Sequence, residues 1–194
     1  MRKFYMFCLL SIAAFVLLGG CGKTADPEKE ESSFVQEAAD TSSSGNGELS
    51  EGIVFEGRDM EGNVVSSSIL SESKLTMVNV WATYCNPCLR EMPGLGELAG
   101  EYDSDTFQII GIISDVQEGA DEKILEYASD LIEQTGADYT HLLLNESIYY
   151  ALLTDVTAVP TTFFIDENGV ILDTVVGSME KSAWEERINA LLEE

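Results

Sequence analysis

The residues of this chain whose type and spacing can do chemistry are two cysteines two residues apart, Cys85-Asn86-Pro87-Cys88. They follow a nearly continuous apolar run, Leu75 to Trp81, and open a stretch with helical character, so the pair is expected at a helix N-terminus. The unpaired N–H groups and partial positive charge at such a terminus stabilise a thiolate, lowering its pKa below the free value of about 8.5. Because the thiolate is the attacking species, Cys85 is the expected nucleophile. Cys88, nearly one turn further in, is expected to be more buried and to resolve the mixed disulfide. Pro87 suits the first turn, where its missing N–H costs nothing. Other uses of the pair fit less well. A zinc site takes about four ligands, and beyond two N-terminal cysteines only the lone His141 accompanies the pair. Haem attachment requires a His directly after the second Cys, where Leu89 stands. An inert structural disulfide closing so small a loop would add little stability.

The elements that must position the pair can be read from periodicity. Ile53 to Phe55 and Val64-Val65 flank a turn-rich stretch and read as a β-hairpin. Leu75 to Trp81 reads as a strand buried on both faces. A helix is expected from Pro87 to Tyr102, with Pro93 inside it as a kink. A second buried strand covers Phe107 to Ile113. Asp121 to Gln134 places Ile124, Leu125, Ala128, Leu131 and Ile132 on one helical face. His141 to Leu144 reads as a strand, with a short helix near Ile148 to Leu153. Thr161 to Ile165 and Val170 to Val176 flank Asp166-Glu167-Asn168-Gly169, a hairpin signal. A final helix, Lys181 to Leu192, carries Trp184, Ile188 and Leu191 as its stripe. Strands interleaved with helices in this order predict an α/β fold with a central mixed sheet flanked by helices. His141 is expected to be structural, and Tyr149-Tyr150 to pack the core.

Ahead of this domain, residues 49–194, lie two segments of different character. Residues 1–21 join a basic start, Met1-Arg2-Lys3, to an apolar run from Phe4 to Leu18, the pattern of an export signal. Residues 22–48 are rich in Ser, Gly and acidic residues without periodicity, and read as a flexible tether. The formal charge is −25, from 35 acidic against 10 basic residues. That balance excludes nucleic acid as a partner, whose phosphates require Lys and Arg, and adsorption to anionic lipid by charge alone. Apolar residues at 45% are sufficient for a real core.

At three places the sequence resembles known families. Leu18-Gly19-Gly20-Cys21 is similar to the lipobox of bacterial lipoproteins, which implies cleavage before Cys21 and a lipid anchor on its sulfur. An uncleaved signal anchor and simple secretion are the alternatives, and all three place the domain outside the cytoplasm, where disulfides persist. Trp81-Ala82-Thr83-Tyr84-Cys85-Asn86-Pro87-Cys88 resembles the active-site segment of the thioredoxin superfamily. Asn79-Val80-Trp81-Ala82-Thr83 before the pair and Glu91-Met92-Pro93 after it narrow the likeness to the TlpA/ResA branch of membrane-anchored thiol-disulfide oxidoreductases. The likeness spans about Ile53 to Leu192, and implies a thioredoxin-like fold with an N-terminal β-hairpin and a helix–strand insert before the cis-proline loop. Val159-Pro160-Thr161 matches that loop, which implies a cis bond at Pro160 and pairing of Val159 with a partner's backbone. Thioredoxin carries a buried Asp where this chain has Asn79, which cannot take up a proton. Glu91 matches a family acid near the cysteines. A partly buried carboxylate there can assist deprotonation of Cys88; otherwise Glu91 is a first-turn acid favoured by the helix dipole. Trp81 packs beside the disulfide on one reading, and is an ordinary core aromatic on the other.

The resemblance implies a reductase of disulfides in client proteins, recharged by a CcdA/DsbD-like membrane thiol donor. Clients of relatives include apocytochrome c cysteines and methionine sulfoxide reductases. The cysteine sulfurs carry the electrons, so no cofactor is expected. Three other activities compete. A disulfide-forming oxidase uses the same chemistry in reverse. A thiol peroxidase would want a Thr-x-x-Cys setting. A Sco-like copper chaperone would want a wider Cys spacing and a His near the cis-proline loop, whereas His141 lies well before it.

Overall fold

A computed structural model describes residues 52–193. The expected export segment 1–21, the lipidation site Cys21, the tether 22–48 and the first residues of the domain lie outside the described residues. Among the described residues no helix is long and apolar enough to cross a membrane.

The centre of the fold is β3 (Leu75–Trp81), all seven residues of which are buried. It pairs in parallel with β4 (Phe107–Gln117) and antiparallel with β6 (Thr161–Asp166). With β5 (Thr140–Leu144) outside β4 and β7 (Ile171–Val176) outside β6, the mixed sheet runs β5-β4-β3-β6-β7. Such a strand needs apolar side chains on both faces, which explains the near-absence of polar residues in Leu75–Trp81. The alternation of the strand assigns those faces. Thr76, Val78 and Val80 point one way, where Val78 and Val80 pack with Phe55, Ile110, Ile112 and Leu142. Leu75, Met77, Asn79 and Trp81 point the other way, towards α1 (Asn86–Ala99), α2 (Glu122–Thr135) and α4 (Lys181–Leu192), where Leu75 and Met77 pack with Leu95, Leu98, Trp184 and Ile188. Asn79 is thus a polar residue on the helix-facing side of the core strand.

On the other face lie the hairpin β1 (Glu56–Arg58) and β2 (Val64–Ser66), a 3-10 turn at Ser67–Glu72, and the short α3 (Glu146–Ile148), which runs on as one wide turn through Tyr149–Leu153. Between β4 and the cis-proline loop stand α2, β5 and α3, the helix–strand insert expected from the resemblance.

Several boundaries and one burial assignment differ from expectation. The first hairpin strand forms at Glu56–Arg58 and not at Ile53–Phe55, because the turn is tight over Asp59–Asn63, so that Arg58 pairs directly with Val64. The Asp59 carboxylate accepts from Asn63 N (2.7 Å) and Nδ2 (2.9 Å). Helix α1 stops at Ala99, and Tyr102 instead packs on Phe107 with ring centroids 5.0 Å apart. Strand β4 runs four residues beyond Ile113, where a register shift against β5 lets it continue to Gln117. Ile124 on α2 is exposed, as are Tyr149 and Tyr150, which leave the core to Ile148, Leu152 and Leu153 on the inward side of their turn.

Candidate redox site

Strand β3 ends at Trp81, and four residues later Cys85 caps α1. Its sulfur accepts the Cys88 backbone N–H at 3.3 Å, the place that a Ser or Asp oxygen takes in an ordinary N-cap. Pro87 occupies the first turn, where it displaces no hydrogen bond. Cys85 and Cys88 are joined in a disulfide, with Cα atoms 5.3 Å apart. Cys88 is wholly buried and Cys85 reaches the surface with 5% of its area. The sulfur open to a partner is therefore the one at the helix terminus.

Two loops frame this sulfur. Cys85 Sγ lies 3.6 Å from the Val159 carbonyl oxygen, and the Val159–Pro160 bond is cis. Thr161 Oγ1 donates to Ala158 O at 2.8 Å and Gly177 N to Pro160 O at 2.9 Å, which fix the loop to β6 and β7. On the other side, Asp115 clamps the residues before the nucleophile, accepting from Thr83 N (2.9 Å) and Thr83 Oγ1 (2.6 Å). No sequence signal marks Asp115. It acts because β4 overruns the sheet at the end where β3 releases the chain to Cys85.

Beneath the disulfide, Trp81 is fully buried in one cluster with Cys85, Cys88 and Met92, so it packs beside the disulfide and is also core. Its Nε1–H donates to His141 Nδ1 at 3.2 Å, and His141 Nε2 donates to Ala137 O at 3.0 Å, a pattern that requires the neutral ring protonated on Nε2. Burial lowers the His141 pKa to about 4, consistent with a structural role. The ring fills side-chain space that Gly111 leaves open: a Cβ there would stand 2.2 Å from Nδ1.

Glu91 lies three residues beyond Cys88, on the same face of α1. Only 6% of its surface is exposed. Its Oε1 accepts from Asn79 Nδ2 and its Oε2 from Met179 N, both at 3.1 Å, while the Trp184 indole N–H lies beside the carboxyl without completing a hydrogen bond. Burial outweighs these donors and pushes the Glu91 pKa up to about 7. Asn79 Nδ2 also donates to Thr162 Oγ1 at 3.1 Å, its register partner on β6. Among the described residues, the buried side-chain polar atoms without a partner are Asn79 Oδ1, the Tyr139 hydroxyl and Trp184 Nε1. Two of the three belong to side chains set against Glu91. Glu91 also borders an open cavity of about 390 Å³ with Arg90, Ser178 and Lys181, whose lining does not include Cys85.

The sequence-derived candidates Cys85, Cys88, Glu91, Asn79, Trp81, Pro87, Val159 and Pro160 thus meet at one end of β3. Reasoning from sequence missed Asp115, Thr162, Met179 and Trp184, which reach the site only through pairing and packing. Among the described residues no cluster of His, Cys, Asp and Glu is arranged to hold a metal.

A thioredoxin-like fold with a Cys-x-x-Cys disulfide at a helix N-terminus and a cis-proline loop against it defines a thiol-disulfide oxidoreductase. Residues 51–174 match the AhpC/TSA family, and the chain belongs to it. It is 30% identical over 128 residues to the thioredoxin-like protein YneN of Bacillus subtilis, with 61% of this chain and 66% of the relative covered. To the thiol-disulfide oxidoreductase ResA of Halalkalibacterium halodurans it is 29% identical over 148 residues, covering 76% of this chain and 78% of the relative. A thioredoxin-family thiol:disulfide interchange protein from Chlorobium tepidum superposes with a TM-score of 0.63 at 23% identity, over 76% of this chain and 99% of that one.

Proposed function

We propose that this chain reduces disulfides in client proteins outside the cytoplasm. The observation that carries this reading is the pairing of a surface-reaching Cys85 with a buried Cys88 that shares its helix face with Glu91, a carboxyl poised to change charge near neutrality. In the reduced protein the Cys85 thiolate attacks one sulfur of a client disulfide. The client S–S bond breaks, a Cys85–client disulfide forms, and the departing client sulfur leaves as a thiolate. The Glu91 carboxylate then takes the Cys88 proton, and the Cys88 thiolate attacks Cys85 Sγ. The second client thiolate departs, the Cys85–Cys88 disulfide is restored, and two electrons have passed to the client. Glu91 returns its proton to solvent through the cavity that it borders. A dithiol donor of the CcdA/DsbD type in the membrane resets the pair.

The expected lipid on Cys21 would hold the domain beside that donor and raise its effective concentration. Metabolic labelling with a radioactive fatty acid tests the anchor: label on the full chain that Cys21→Ser removes supports it, and an unlabelled chain contradicts it. Supply of electrons to apocytochrome c or to a methionine sulfoxide reductase is the client role that the resemblance suggests. Roles of the two cysteines are tested by trapping. Cys88→Ser should accumulate mixed disulfides with clients, and Cys85→Ser should lose exchange; full turnover by Cys85→Ser would overturn the assignment.

A further inference from the structure

Two depressions lie side by side on the surface next to Cys85. One, of about 270 Å³, is bordered by Tyr84, Leu144, Tyr149 and Val159. The other, of about 600 Å³, is bordered by Leu144, Tyr149, Tyr150, Glu118 and Glu146. They share Leu144 and Tyr149, so together they form one groove that starts at Tyr84, the residue before Cys85, and at Val159, whose carbonyl oxygen lies 3.6 Å from Cys85 Sγ, and ends at two carboxylates. Tyr84 is 73% exposed and Tyr150 71%, and Tyr149 meets Tyr150 edge to face with centroids 5.4 Å apart. Exposed tyrosines side by side are costly unless they meet something, because their rings present apolar area to water. No Lys or Arg borders either depression. Glu118 is held in place, its Oε1 accepting from Arg58 N (2.7 Å) and Asn145 Nδ2 (2.8 Å), while the Arg58 guanidinium is turned away to Gly62 O. Asp115 and Asp121 border the adjoining depression beyond Glu118 and extend the negative field.

Resting on the reductase reading above, we propose that this groove seats the client chain that flanks its cysteine, and that it selects an extended segment with Lys or Arg beside an aromatic or aliphatic residue. The client sulfur lies at Cys85, its neighbouring apolar side chain packs between Tyr84 and Tyr149, and its cation reaches Glu118 and Glu146. The faces of Tyr149 and Tyr150 attract the same cation. A membrane surface does not fit, since anionic headgroups are repelled by these carboxylates. A second copy of the chain, at −25, carries the wrong sign as well.

Short peptides test this, each with one cysteine blocked as a disulfide with 2-mercaptoethanol and flanked by Lys-Tyr-Lys, Ser-Ser-Ser or Glu-Tyr-Glu. Their reduction by the full-length reduced chain is compared with that of hydroxyethyl disulfide, which is too small to reach the groove. The Lys-Tyr-Lys peptide should react about fivefold faster than the Ser peptide, the scale of two partly exposed ion pairs, and the Glu-Tyr-Glu peptide slowest. High salt should erode this preference. Glu118→Gln with Glu146→Gln should abolish the charge ranking, and Tyr149→Ser with Tyr150→Ser should weaken both aromatic peptides relative to hydroxyethyl disulfide. Equal peptide rates in the unaltered chain, or a ranking unmoved in both double variants, would overturn the groove assignment while leaving the reductase intact. A chain unable to reduce hydroxyethyl disulfide at all would overturn the redox reading, and the groove with it.

Discussion

Glu91 is a carboxyl placed where burial disfavours its charge, yet given enough donors to keep the charged form within reach of neutral pH. Asn79 supplies one of those donors and cannot itself hold a proton, so in the mechanism proposed above it is Glu91 that carries the proton. Acting as a base for Cys88, Glu91 must be ionised, so the rate of resolution should rise with pH through about 7. Glu91→Gln should slow exchange on the order of 10²-fold and remove that limb of the pH–rate profile. Stopped-flow measurement of client release from the mixed disulfide reads both. A Gln variant with an unchanged profile would return Glu91 to the plain helix-dipole role. The placement of Cys85, Cys88 and Glu91 was readable from sequence because spacing along one helix fixes which side chains share a face. That of Trp184 and Met179 was not, since each lies about 90 residues beyond Glu91 along the chain and is brought to it by the packing of α4 and its preceding loop.

The elements were legible wherever periodicity was strong. The span of β3 and that of α4 coincide with expectation, because one is a nearly continuous apolar run and the other carries a clear stripe. Legibility failed where a side-chain hydrogen bond or a register shift set the boundary, as at the Asp59 turn and at the far end of β4. It failed also at Tyr149-Tyr150, where aromatic residues were expected inside and the wide turn after α3 places them outside. The packing of β4 against β5 carries its own consequence. Gly111→Ala would drive a methyl into the His141 ring and disturb the bond from Trp81 beneath the disulfide. The expected loss is about 1–3 kcal/mol of unfolding free energy. Urea denaturation would show it as a lowered midpoint, and an unchanged midpoint would mean that the ring yields without cost.

Over the whole molecule, two buried groups pull stability in opposite directions with pH. The Glu91 pKa is raised on folding from 4.5 to about 7, so its contribution is complete below 4.5 and is lost as pH rises through about 7. The His141 pKa is lowered from 6.5 to about 4, so its contribution is complete above 6.5 and is lost as pH falls through about 4. Each contributes on the order of 3 kcal/mol, and between about 4.5 and 6.5 the two slopes oppose each other. Their joint effect there should be nearly flat. Glu91→Gln should unmask a stability that climbs from pH 4 to 6.5, as read by urea midpoints across that range; a variant as flat as the parent would show that His141 is not buried neutral.

The claim on which the rest stands is that Cys85 and Cys88 form a reducing couple. The most direct measurement equilibrates the full-length chain in thiol–disulfide buffers and follows the pair by alkylation. Reference couples run from about −270 mV for thioredoxin to about −120 mV for a strong oxidant. A potential near the thioredoxin end is the expected result. A value near the oxidising end would assign the protein to disulfide formation, and the absence of any reversible couple would contradict thiol-disulfide exchange at this site altogether.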